Sequence, residues 1–229
     1  MGYQVIVHAG GKGTRMLPLT LDKPKVLIDL NGKPLLEHVI QPFTDAGIKD
    51  FVITTSYKAD MIKNWFQSKG LNVRFIDEPK PSGRGGAVQL GINQKVLDPD
   101  KPALMINGDD ILKYDLKEFI KSHEESKCSI TIGLSRDFQN PYGVVNVTEG
   151  KAVSFVEKPM QTLADGKGIN AGIIGLTNLR MFLDIEMPYN PEDKVYPKFA
   201  EKNDVNVFFV DEWHSVNTKQ ELERVSKLI

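Results

Sequence analysis

A short buried strand that runs directly into a glycine-rich turn constrains this chain more than any other feature. Val5-Ile6-Val7 is followed without a break by His8-Ala9-Gly10-Gly11-Lys12-Gly13-Thr14-Arg15-Met16-Leu17-Pro18-Leu19-Thr20. Three glycines let the backbone turn tightly and bring several N–H groups onto one phosphate-bearing ligand. Arg15 adds a planar guanidinium fork suited to phosphate oxygens. Two common phosphate loops are excluded. The P-loop pattern needs an earlier glycine and a Ser or Thr after its lysine, and Lys12 has neither in place. The dinucleotide pattern needs a last glycine where Met16 stands. A plain surface loop leaves the order of strand, glycines and arginine unexplained.

The first half of the chain alternates strand and helix patterns. Val26-Leu27-Ile28 reads as a short extended run, and Pro34 opens a helix that Ala46-Gly47 closes. Phe51–Thr54 is a strand, and Ala59 to Lys69 is amphipathic with Met61, Ile62, Trp65 and Phe66 on one face. Val73–Ile76 is a strand, Gly86 to Lys95 a helix and Ala103–Ile106 a strand. This succession implies a mainly parallel sheet, with ligands at the carboxyl ends of its strands. After about residue 127 the pattern changes to strands with short connections, at 129–134, 144–147, 152–156 and 173–176. That stretch reads as a strand-rich insertion beside the first half. Val205–Val210 and a final helix from about Lys219 to Leu228 follow. No linker or repeat divides the chain, so one domain, 1–229, is expected.

Composition removes several classes of partner. The 29 Lys and Arg residues balance 30 Asp and Glu, a formal charge of −1, which favours neither nucleic acid nor a membrane surface. An anionic ligand must therefore be held by a local cluster of donors. No apolar run approaches the roughly 20 residues of a membrane span. Met1-Gly2-Tyr3 leads straight into strand, without a secretory signal. The single cysteine, Cys128, excludes an internal disulfide and lies in an apolar run, as a buried structural thiol does. The expected address is cytoplasmic.

Lys23-Pro24-Lys25 places a stiff residue between two ammonium groups, which aims Lys25 at a polyphosphate. With Ala9–Arg15 and Gly32-Lys33-Pro34-Leu35 it resembles, in spacing and content, the sugar-1-phosphate nucleotidyltransferases. Further motifs carry the resemblance along nearly the whole chain. It implies a Rossmann-like three-layer α/β/α fold with a mixed central sheet. It also implies transfer of a nucleoside monophosphate from a nucleoside triphosphate to a sugar 1-phosphate, with release of pyrophosphate and dependence on Mg²⁺.

The resemblance distributes roles along the chain. Residues of about 1–127 form the nucleotide-binding half and about 128–229 the sugar-binding half. Ala9, Gly10, Gly11, Gly13 and Thr14 wrap the nucleotide, while Arg15 and Lys25 neutralise its phosphates. Glu78-Pro79-Lys80-Pro81-Ser82-Gly83-Arg84 resembles the base-recognition segment, with Glu78 reading the base and Gly83 close to it. Arg84 departs from the threonine common there, and the base stays open. Asn107-Gly108-Asp109-Asp110 ends an apolar strand. There Gly108 joins the nucleotide-binding set and Asp109 becomes the Mg²⁺ ligand, a hard cation that favours oxygen. Gly143, Glu157, Lys158, Asn170 and Lys194 fall to the sugar phosphate. In Trp213-His214-Ser215-Val216-Asn217-Thr218, Asn217 is the favoured second metal ligand and Ser215 the alternative. Asn217 or Thr218 also suits a helix cap. Two other functions remain open. One is a cytidylyltransferase acting on a phosphorylated alcohol or amine, and the other a non-catalytic sensor of sugar nucleotides. Little chain remains beyond Asn217 for the β-helical domain of longer relatives, so a second activity is not expected.

Overall fold

The computed structural model describes residues 2–136, 144–156 and 167–229. The opening strand β1 (Gln4–His8) is apolar on both faces because both are covered, as in parallel sheets flanked by helices. Val5 and Val7 pack into one core cluster and Ile6 into another. Then come two short strands, β2 (Asp29–Leu30) and β3 (Lys33–Pro34), helix α1 (Leu35–Asp45) and strand β4 (Phe51–Thr55). They are followed by α2 (Ala59–Ser68), β5 (Val73–Asp77), α3 (Gly83–Asn93), β6 (Ala103–Asn107), β7 (Asp110–Lys113) and α4 (Leu116–Ser126). Strands β8 (Ile130–Ser135), β9 (Val144–Thr148), β10 (Lys151–Val156) and β11 (Lys167–Leu176) lead to two short helices, α5 (Pro191–Lys194) and α6 (Tyr196–Ala200). The chain closes with β12 (Val205–Phe209), β13 (Glu212–Ser215) and α7 (Lys219–Val225).

Among the described residues, nine strands form one mixed sheet in the order β5-β4-β1-β6-β11-β8-β12-β10-β9. Strands β5, β4, β1 and β6 are mutually parallel. Strands β11 and β10 run against their neighbours. The alternation seen in β1 recurs in β6, where Leu104 and Ile106 face one cluster and Ala103 and Met105 the other. Side chains of α1, α2, α4 and α7, such as Phe43, Phe66, Phe119 and Val225, fill the first cluster. Val88 of α3 and Tyr196 and Ala200 of α6 fill the second. Among the described residues no helix is long and apolar enough to cross a membrane.

Helix ends follow local chemistry. Gly47 takes a φ of 78° just past α1, where a side chain would be strained. Thr218 and Glu221 form a reciprocal capping box at the start of α7. Several expectations need correction. Lys25–Leu27 is a 3₁₀ turn rather than an extended run, and it buries Lys25 and Val26. Met61 is outward and exposed, so the apolar face of α2 is narrower than its sequence pattern. Helix α3 starts at Gly83, three residues early. The strands after residue 127 are not a body packed beside the first half. Strands β8, β11 and β12 continue the central sheet through β6. Short connections in a sequence look alike whether strands build a new sheet or extend an existing one.

Candidate active site

The carboxyl ends of β1, β4, β5 and β6 lie on one edge, and a cleft of about 840 Å³ opens there. Strand β11 runs antiparallel past β6, with Ile173 opposite Ile106, so its start projects Asn170 beyond the same edge. The structure brings Ala9, Gly10, Gly11, Gly13, Thr14, Arg15, Lys25, Glu78, Gly83, Asp109, Asn170 and Asn217 to the cleft lining.

Its centre is a cation held by two oxygens. The ammonium of Lys25 pairs with Asp109 Oδ2 and donates to Asn217 Oδ1 at 2.8 Å. Arg15 donates to the same Asn217 oxygen at 2.7 Å. Asn217 Nδ2 donates to Ser215 Oγ at 2.5 Å, which fixes the amide so that its oxygen faces the two cations. The backbone N–H of Asn217 is anchored by Glu221 Oε2 at 2.7 Å, so the capping box of α7 also holds this residue in place. Ser215 thus stands behind Asn217, and Asn217 faces Lys25. Among the described residues, no three His, Cys, Asp or Glu side chains form a metal-binding group.

The 3₁₀ turn explains how Lys25 reaches this place. Gly13, with φ of 63°, leaves room for it: a Cβ there would lie 2.9 Å from Lys25 Cβ and 2.9 Å from Thr20 Cγ2. Glu78 serves its own loop, because Oε2 accepts from Ser82 Oγ at 2.5 Å while Oε1 faces Gly10. Gly83 and Gly85 allow close approach of the Tyr189 backbone and ring, where a Cβ would come within 2.3 Å and 2.2 Å.

Two expected residues among those described, Gly108 and Lys194, do not line the cleft. Gly108 is a packing position: its N–H donates to His8 O at 2.9 Å, and it lets the β6 turn sit against β1. Lys194 ends the four-residue helix α5 exposed to solvent, and Glu192 and Asp193 of that helix line the cleft instead. A helix this short presents its first turn to the cleft and its last residue elsewhere. Gly143 lies outside the described residues, as do Glu157 and Lys158. Asn170 donates to Glu192 Oε1 at 3.1 Å, and its Oδ1 accepts from Gly172 N at 2.9 Å.

A polar network passed over by the sequence reading fills the floor. Asn107 Nδ2 donates to Asp110 Oδ2 at 2.7 Å, and Asn107 Oδ1 accepts from Arg84 at 3.2 Å. Arg84 also pairs with Glu192 Oε1 at 2.6 Å. Burial works against the Arg84 charge, but Glu192, then Tyr196, Asp110 and Asp109, more than offset it and raise its pKa. Burial first, and Asp109 second, push the Asp110 carboxyl up to about 7 against hydrogen bonds from Asn107, Ser215 and Trp213. Burial, and then Arg84, push His8 down to about 3, so its imidazole is neutral. The available signal for Asn107 was its place at the end of an apolar strand. Glu192 carries none in a single sequence.

The sequence profile of the family described as "Nucleotidyl transferase" matches residues 4–227. Mannose-1-phosphate guanyltransferase of Yarrowia lipolytica is 30% identical over 210 residues, covering 89% of this chain and 57% of its own length. Probable mannose-1-phosphate guanylyltransferase 2 of Oryza sativa subsp. japonica is 33% identical over 205 residues, covering 86% and 56%. The chain therefore spans about half the length of the curated relatives it matches. Among solved structures, a putative glucose-1-phosphate thymidylyltransferase from Bacillus anthracis superposes with a TM-score of 0.85 at 20% identity, covering 99% and 94% of the two chains. HddC from Yersinia pseudotuberculosis, complexed with GMP-PN, gives 0.79 at 26% identity and 99% of both chains. The profile match takes in every element that builds the cleft, and on it the chain belongs to the nucleotidyl transferase family.

Proposed function

We propose that this chain transfers a nucleoside monophosphate from a nucleoside triphosphate to a sugar 1-phosphate, forming a sugar nucleotide and releasing pyrophosphate. The observation that carries this reading is the Lys25 ammonium held jointly by Asp109 and Asn217, with Arg15 alongside and the Gly10–Gly13 turn in the same cleft. The names of the relatives support guanosine triphosphate with mannose 1-phosphate as the first pair to examine. Packing of helices against both faces of the sheet supports a three-layer, Rossmann-like architecture, and we read the chain as a single domain with nucleotide and sugar-phosphate halves.

The donor set fits Mg²⁺. Asp109 and Asn217 already turn oxygens toward one cation, and Mg²⁺ is bound through one or two such groups plus waters and substrate phosphates. Among the described residues of the lining, Lys12, Arg15, Lys25 and Arg84 face Glu78, Asp109, Asp110, Glu192 and Asp193, before two anionic substrates enter. Asp109 and Asn217 would hold the ion, which when bound stabilises negative charge at the transferring phosphoryl group.

The protein's own work is alignment and charge neutralisation. Glycine-loop N–H groups and Arg15 hold the triphosphate, and Lys25 neutralises charge where pyrophosphate departs. Glu78 lies beside Gly10 to meet the base, and Asn170 meets the acceptor's hydroxyls. The attacking phosphate oxygen is already ionised, so no general base is required.

The test is pyrophosphate release from each common triphosphate against a panel of sugar phosphates, with and without a divalent cation. Release that requires a sugar phosphate is expected. Turnover confined to phosphorylated alcohols or amines with cytidine triphosphate would favour the cytidylyltransferase. Tight sugar-nucleotide binding without turnover would favour the sensor. In the same assay Lys194→Ala is expected to change the KM of either substrate by less than about 2-fold, as for a solvated surface charge. A larger rise for the sugar phosphate would return Lys194 to the site.

A further inference from the structure

Arg84 is a cation of the cleft that the nucleotide loop does not employ. Among the described residues lining the cleft, Lys12, Arg15, Lys25 and Arg84 carry positive charge. Lys12 sits on the glycine-rich turn, and Arg15 and Lys25 are tied to Asn217 and Asp109. Arg84 lies on the first turn of α3, close in sequence to Glu78. It meets Asn107 at the end of β6 and Glu192 on α5. Glu192 Oε1 is shared with Asn170, so the guanidinium joins the wall that carries the acceptor-side asparagine.

That guanidinium is oriented but not saturated. It spends two hydrogen bonds, one on each partner, out of five N–H groups. Its side chain remains 36% exposed, while Glu192 is 19% exposed. Stability alone is a poor reason for such a pair, because a buried ion pair seldom outperforms a well-packed apolar pair. A fork held by two partners and still open on the cleft side suits a phosphate, which it can grip bidentately.

We propose that Arg84 binds the phosphate of the incoming sugar phosphate, and that Glu192 and Asn107 are positioning residues that hold its guanidinium toward the cleft. This rests on the sugar-phosphate reading above. Arg84 gives the acceptor phosphate a fixed cation on the wall built by Asn107, Glu192 and Asn170, while Lys194 is exposed outside the described lining. Binding there places one acceptor oxygen toward the phosphorus of the triphosphate without drawing on the cations that neutralise the triphosphate.

Steady-state kinetics of Arg84→Gln, Arg84→Lys and the double variant Arg84→Gln/Glu192→Gln test this, with wild type measured first. Arg84→Gln is expected to raise the KM for sugar phosphate roughly 10- to 100-fold, the loss of a hydrogen-bonded charge. The KM for the triphosphate is expected to stay within about 3-fold, as for a contact it does not make. Arg84→Lys restores part of the acceptor affinity, since an ammonium keeps the charge but not the fork. The double variant leaves no unpaired carboxylate, so its thermal melt checks folding, and its acceptor defect is expected to persist. Recovery of acceptor KM in the double variant would reduce the pair to a structural one and overturn the proposal. A change in triphosphate preference with acceptor KM unmoved would assign Arg84 to the base and overturn it equally. Absence of wild-type turnover with every sugar phosphate would instead sink the functional reading itself, and this inference with it.

Discussion

Replacing Asp109 by alanine is expected to lower kcat by roughly 1000-fold or more while the protein stays folded, an effect of the size seen when charge stabilisation at a transferring phosphoryl group is removed. The carboxylate follows β6 at the cleft and is not part of either core cluster. Its loss leaves the buried Lys25 ammonium with the neutral Asn217 amide, whose Oδ1 it keeps at 2.8 Å, so some stability is lost along with activity. A circular-dichroism melt alongside the pyrophosphate assay separates the two effects. Full retained turnover would show that the cation site is elsewhere.

The same substitution reaches Asp110. Burial, and then Asp109, raise that carboxyl from 3.8 to about 7. A raised folded-state pKa means that the group's contribution to stability is complete below the unfolded value. It is lost as pH climbs through the folded one. Wild type should therefore lose stability between about 4 and about 7 from this group. Without the Asp109 charge the Asp110 pKa falls, the window narrows, and Asp109→Ala should lose less. Melts of both proteins across that range check it, and parallel curves would show that Asp109 does not act on Asp110.

Sequence alone carried the features whose physics is local. The β1 strand, the glycine turn, the Gly47 helix end and the alternating first half all depend on residues a few positions apart. The structure places them as expected. What escaped depends on residues far apart. Val26-Leu27-Ile28 looked extended because it is apolar and two of its three residues are β-branched. The 3₁₀ turn Lys25–Leu27 instead brings Lys25 to Asp109 and Asn217, which lie 84 and 192 residues away. Asp110 read only as a neighbour of Asp109, yet it opens β7, pairs across to Ser215 of β13 and is buried. Arg84 registered as a departure from a loop pattern, and only the fold brings it to Glu192, 108 positions on. Lys194 stands exposed, outside the described lining, for the converse reason: charge and position in the chain do not state which way a four-residue helix turns its last side chain.

Gly172→Ala is expected to destabilise the chain by roughly 2–5 kcal/mol and to disable the cleft as well. Two separate costs fall on one residue. Its φ of 83° lies in the left-handed region, where an L side chain is strained. An added Cβ would also stand 2.3 Å from Asp110 Oδ2 and 2.7 Å from Asn107 Nδ2. Those two atoms are bonded to each other at 2.7 Å, and Asn107 in turn holds Arg84. The methyl group thus pries apart a part-buried hydrogen bond rather than pushing aside a flexible chain end. Gly150 supplies the control, because its φ is 76° and no atom lies within 4 Å of its notional Cβ. Gly150→Ala carries the backbone cost alone, about 1–2 kcal/mol. The excess loss in Gly172→Ala, read by chemical denaturation, measures the collision. Equal losses at the two sites would mean that Asn107 and Asp110 yield to the methyl freely, and that only its φ requires glycine at 172.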